Sequence, residues 1–117
     1  MTLLLVGLAG AAGVVARYVI SSPFHGEALS WATVGINVFG SLLLGLLVSS
    51  HSISDDARIV AGVGFLGGFT TFSTFSVQAF LDFEAGEPLR ALVYVLTSVL
   101  LGLAAAAFGY YLGRATL

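Results

Sequence analysis

"GFLGGFTTFSTF", Gly64–Phe75, places three glycines, four hydroxyl side chains and four phenylalanines in twelve residues. No charged residue lies between Arg58 and Asp82, so the stretch sits inside an apolar run long enough to cross a bilayer as a helix. Gly62, Gly64, Gly67 and Gly68 gather in one half of that run, and glycine reaches φ values that other residues avoid. Followed by Thr70 and Thr71, they predict a helix that unwinds near the bilayer midplane. Unwound backbone at that depth is tolerated only where it is buried in protein or lines a cavity. The carbonyls it frees can hold a cation. Beyond them Phe72 and Phe75 return on one helical face, with Thr71, Ser73, Thr74, Ser76 and Gln78 supplying hydrogen-bonding groups around them.

Working outward, the same apolar character dominates the chain. Of 117 residues, 58% are hydrophobic and only 9% charged, against about 25% charged in a soluble domain. Four apolar runs, Thr2–Ile20, Trp31–Ser50, Ile59–Leu81 and Leu89–Gly113, each approach the length of about 20 residues that spans the hydrocarbon core. The expected fold is all-α, one integral-membrane domain over residues 1–117. The intervening loops are too short to fold by themselves, so function belongs within the bilayer. The first run lacks a preceding basic residue and exceeds the usual apolar core of a secretory signal, so it reads as a helix of the mature protein.

Composition also excludes chemistry. The chain has no cysteine, hence no disulfide, thiolate metal site or cysteine nucleophile. It has no lysine and a net charge of −2, which argues against a nucleic-acid partner. His25 and His51 fall in loops and read as solvated. The arginines divide evenly, Arg58 and Arg114 toward one side and Arg90 and Arg17 toward the other. A balanced chain has no strong electrostatic preference for either orientation, leaving open one fixed topology or insertion both ways. Small residues spaced by four, Ser41/Gly45 and Ala105/Gly109/Gly113, mark close-approach faces on the second and fourth spans.

Polar groups within a span are costly and invite a functional reading. Asn37 stands mid-span in the second helix, either as an interhelical hydrogen bond or as part of a site. Tyr94, Ser98 and Gly102 share one face of the fourth. Arg17, near the end of the first, can snorkel or cap carbonyls. No span interior contains a carboxylate. Phenylalanine usually means packing, but its ring carries a positive edge. Edges, hydroxyl donors, no acid in the spans and one arginine near a span end point to an anion, with plain helix packing the commoner alternative left open.

"GGFTTFSTFS" (Gly67–Ser76), "ARY" (Ala16–Tyr18) and "GINVFGS" (Gly35–Ser41) together resemble the small fluoride channels of the Fluc or CrcB family, and the resemblance spans the whole chain. It implies a multi-pass protein of the cell inner membrane, not an enzyme. In that family an antiparallel dual-topology homodimer forms two fluoride pathways. Broken third helices cross at the two-fold axis, where carbonyls matching Gly67 and Thr70 bind a structural sodium ion. Phe72 and Phe75 match the aromatic box, with Thr71, Thr74 and Gln78 beside it. Asn37 matches one end of the path, Tyr94 and Ser98 a polar track, and Arg17 a vestibule residue. Members often carry glutamate where this chain has Gln78, and a hydroxyl where it has Gly102. The other classes weighed are a small multidrug exporter, disfavoured by the missing intramembrane acid, and a non-transporting assembly subunit.

Overall fold

The computed structural model covers Met1–Leu117, and every regular element in it is helical. Four helices are long and apolar enough to cross a membrane: Thr2–Ser21, Glu27–Ser49, Asp55–Glu84 and Pro88–Thr116. We label the first two α1 and α2, and the last, Pro88–Thr116, α6. The third is composite. It opens with α3 (Asp55–Ile59), widens into the π-helical segment π1 (Val60–Leu66), tightens to α4 (Gly67–Phe69) and ends with α5 (Phe72–Glu84).

Local sequence explains the ends. Gly26 precedes α2 at φ +59°, a conformation that L side chains rarely adopt. Glu27 in the first turn lets α2 extend a turn beyond the apolar run that starts at Trp31, since an acid complements a helix N-terminus. Ser54 caps α3, its Oγ accepting from Ala57 N at 3.2 Å. Arg58 ties the preceding loop down, donating to the carbonyls of Leu47 (3.2 Å), Ser50 (2.7 Å) and Ile53 (3.2 Å). Pro88 occupies the first turn of α6, where its missing N–H costs nothing.

The most extensive interface joins α2 to α6, and α1 packs chiefly on π1 and α4. The small-residue ladders form the first of these: a Cβ on Gly45 would strike the Ala106 carbonyl, and one on Gly109 the Leu42 carbonyl. In lipid such close approach gains dispersion contacts that larger residues would forfeit. Only 16 of the 117 residues are buried, and Leu3, Leu8, Leu100 and Leu103 are among the many large apolar side chains left exposed. That surface suits hydrocarbon rather than water.

The glycine cluster behaves differently from expectation. Gly62, Gly64, Gly67 and Gly68 are all helical, and the two extended residues are Thr70 (φ −93°, ψ 158°) and Thr71 (φ −149°, ψ 118°). Two of the glycines, Gly64 and Gly68, are needed for contact with α1 instead. Gly64 lies so close that an added Cβ would meet the Val6 carbonyl at 3.0 Å, and Gly68 lies directly against the Gly10 carbonyl.

Candidate ion pathway

Thr71 cannot complete a helical turn, yet its backbone is satisfied. Asn37, on α2, donates from Nδ2 to the Thr71 carbonyl at 2.9 Å and accepts from Thr71 N at Oδ1 at 2.8 Å. One side-chain amide thus pairs with both polar groups of an extended residue, as a neighbouring strand would. Away from water each such group left unpaired costs about 1–3 kcal/mol. The Thr71 hydroxyl in turn accepts from Thr74 N at 3.2 Å and starts α5 as its N-cap.

These bonds divert two donors from their ordinary helical acceptors. In a continuous helix Thr71 N would donate to the Gly67 carbonyl and Thr74 N to the Thr70 carbonyl. Here the first goes to Asn37 and the second to the Thr71 hydroxyl. Both carbonyls are therefore deprived of their i+4 partner, while the Thr70 hydroxyl bonds back to Leu66 O at 2.8 Å. Oxygen donors of this kind suit a hard cation.

Beside this junction lies a cavity of about 340 Å³ between α2, α6 and the third span. Asn37, Thr71, Phe72, Phe75, Ser98 and Gly102 contribute to its wall, as do Gly67 and Thr70. The Ser98 hydroxyl is buried and has no hydrogen-bond partner within the protein. It therefore differs from Thr33, Ser41 and Ser49, whose hydroxyls bond back to carbonyls one turn earlier on α2. Gly102 supplies no side chain there.

Aromatic packing links the cavity wall at Phe72 and Phe75 to Tyr94, which lies outside the lining. Phe72 and Phe75 have ring centroids 5.7 Å apart at 55°, and Phe75 and Tyr94 are 5.2 Å apart at 56°. Both pairs are tilted, intermediate between stacked and edge-on. Tyr94 is 2% exposed, and its hydroxyl donates to Gln78 Oε1 at 2.6 Å. Phe72, by contrast, is 78% exposed, its ring projecting from the third span.

Of the residues singled out in the sequence, Asn37, Thr71, Phe72, Phe75 and Ser98 meet at one cavity, whereas Tyr94 and Gln78 lie outside its lining, bonded to each other, with Tyr94 packed against Phe75. Thr74 contributes through its backbone N–H. Arg17 lies apart from the cavity and donates from Nε to the Gly68 carbonyl at 3.1 Å, capping the C-terminal end of α4. Two contributors went unnoticed as site residues. Ser41 lines the cavity besides belonging to a packing ladder, and Trp31 stands edge-on to Tyr94 at 6.3 Å and 81°. Trp31 falls near a span end, where a ring reads as an interfacial anchor, so its position carried no signal for the latter contact.

Residues 4–110 match the family described as CrcB-like protein, Camphor Resistance (CrcB). Among curated relatives, the fluoride-specific ion channel FluC of Erythrobacter litoralis is 41% identical over 121 residues, covering 93% of this chain and 89% of the relative. The protein of the same name from Thermus thermophilus is 41% identical over 118 residues, covering 96% and 94%. That from Geobacter sulfurreducens is 41% identical over 107 residues, covering 86% of each. These relatives are named as ion channels, which is a non-enzymatic class. With a family match over residues 4–110 and relatives 41% identical over most of their length, this chain belongs to the CrcB-like family.

Proposed function

We propose that this protein is a fluoride-selective channel that releases fluoride passively from the cytoplasm. The observation that carries the reading is the Ser98 hydroxyl, buried and unpartnered beside a cavity that Phe72 and Phe75 help to line. A free donor beside phenylalanine rings, whose edges are positive, offers an anion partial replacement of its water shell without the tight grip of a fixed cation. The names of the relatives supply the ion.

The proposed path runs from the Asn37 end past Ser98 and the Phe72 and Phe75 edges to Tyr94 and Gln78. Hydrogen fluoride enters cells as a neutral acid, dissociates at the higher internal pH and is trapped as the anion. A membrane potential negative inside drives each fluoride outward by about 2.3 kcal/mol per 100 mV, so an open channel needs no energy coupling.

The functional unit is an antiparallel homodimer in the inner membrane, with two pathways and the third spans crossing near the bilayer midplane. The exposed Phe72 ring supports this, because a path edge left open in one chain needs a second copy to close it. The carbonyls of Gly67 and Thr70, without their helical partners, would hold a structural sodium ion shared by both subunits. When bound, that ion supplies fixed positive charge and a cross-link between chains.

The test is efflux from liposomes containing the purified protein, recorded with fluoride-selective and chloride-selective electrodes. Fluoride should leave rapidly once a potassium ionophore dissipates the charge, and chloride should remain. Chloride efflux as fast as fluoride, or no efflux of either from folded protein, overturns the proposal.

A further inference from the structure

One turn beyond Tyr94 and Gln78 the chain carries a charged layer built from three helices. Asp82 follows Gln78 by four residues on α5, Arg90 precedes Tyr94 by four on α6, and Glu27 precedes Trp31 by four on α2. The Arg90 Nε lies 3.4 Å from Asp82 Oδ1, and its Nη1 lies 3.9 Å from Glu27 Oε2. Each charged residue therefore stands beneath an aromatic or polar partner in the next layer, where Trp31 meets the edge of Tyr94 and Tyr94 bonds Gln78.

The position of Arg90 needs a tertiary reason. It lies in the first turn of α6, directly after Pro88 and Leu89, where the helix dipole disfavours a cation. Its Nε is shielded from solvent, yet makes no aligned hydrogen bond. A freely solvated arginine would keep that atom in water. Two carboxylates from two other helices offset both penalties, and they do so only while α2, α5 and α6 hold their present rotation. No other ion pair joins these helices. The remaining one, Arg58 with Asp55, is local to α3.

We infer that Glu27, Asp82 and Arg90 form an electrostatic latch that keeps α5 in register with α6, and so holds Phe75 against Tyr94. Arg90 is a positioning residue, acting on the pathway through the layer above it. Breaking it lets α5 turn or separate, loosening the Tyr94–Gln78 bond and freeing the edge of Trp31, already 41% exposed, that Tyr94 covers.

The chain's single tryptophan, Trp31, makes this measurable apart from transport. The flux part of the test rests on the channel reading, whereas the fluorescence part does not. Arg90→Gln should raise acrylamide quenching of Trp31 and slow fluoride efflux by roughly threefold, the scale of a half-exposed ion pair. The charge-reversed set Arg90→Asp with Asp82→Arg and Glu27→Arg, which keeps every pair of opposite sign, should return both readouts toward the parent protein. If Arg90→Gln yields no folded dimer, Asp82→Asn takes its place with the same expectations. Unchanged Trp31 quenching in either single variant overturns the latch, as does a folded charge-reversed set that restores neither quenching nor flux. A parent protein without fluoride efflux would refute the channel instead, and Trp31 quenching would still decide the latch.

Discussion

At Phe75 two roles make opposite demands on one side chain. As a packing residue it would fill volume between Phe72 and Tyr94, and isoleucine would retain most of that volume. As a wall of the path it must present a ring edge, which isoleucine lacks. Its centroid lies within 6 Å of both neighbours (5.7 Å and 5.2 Å), so either role is sterically satisfied in the native protein. Phe75→Ile is expected to cut fluoride efflux at least about tenfold, equivalent to about 1.4 kcal/mol on the barrier. Dimer elution should stay normal and chloride excluded, because Ser98 and Thr71 are untouched. Near-parent fluoride flux in both Phe75→Ile and Phe72→Ile, with folded dimer, would return the rings to packing. Asn37 is not divided in this way: pairing with Thr71 and lining the cavity are both accomplished by one amide.

Within the third span, adjacent glycines serve different ends. A Cβ on Gly68 would collide with the Gly10 backbone of α1, whereas one on Gly67 would find its nearest neighbour, Gly62 O, at 3.7 Å. Both residues are helical, so alanine would favour the local backbone at either position. Gly68→Ala should therefore push α1 away and lower the melting temperature in detergent. Gly67→Ala should leave the single chain intact, and any loss it causes should appear as dimer dissociation. Equal loss of melting temperature in the two variants would contradict this separation. The contrast also marks how far the sequence could be read. Four spans were legible because about 20 apolar residues leave a membrane chain few alternatives. The site's residue types were legible because hydroxyls and an amide are conspicuous in such a run. The role of the glycines was not. Unwinding and close approach both select glycine, and only the position of Gly10 on another helix distinguishes them. Nor could spacing reveal that Asn37 reaches across 34 residues to Thr71, leaving the threonines rather than the glycines extended.

For the molecule as a whole, the arginines bear on how the chain enters the membrane. The ends of α1, α2, α5 and α6 place Arg90 and Arg17 toward one end of the bundle and Arg58 and Arg114 toward the other. One member of each set is committed to backbone carbonyls: Arg17 to Gly68, and Arg58 to Leu47, Ser50 and Ile53. Discounting those two leaves Arg90 against Arg114, so the balance survives whether all four arginines are counted or only the uncommitted pair. Orientation follows the excess of arginine and lysine near span ends, and here neither end has one. Copies should then insert both ways and supply the antiparallel partners that the proposed dimer requires. A cysteine placed after Leu117 on a short glycine–serine spacer tests this, the spacer sparing the bond from His51 N to Leu117 O at 3.2 Å. An impermeant maleimide should label it in intact spheroplasts to about half the extent reached after lysis. Several lysines added at the same place should bias insertion toward one orientation and lower fluoride efflux. Co-expression with a copy biased the other way should recover it. Labelling confined to one side in the parent chain, with efflux intact, would mean that the channel does not need oppositely inserted copies.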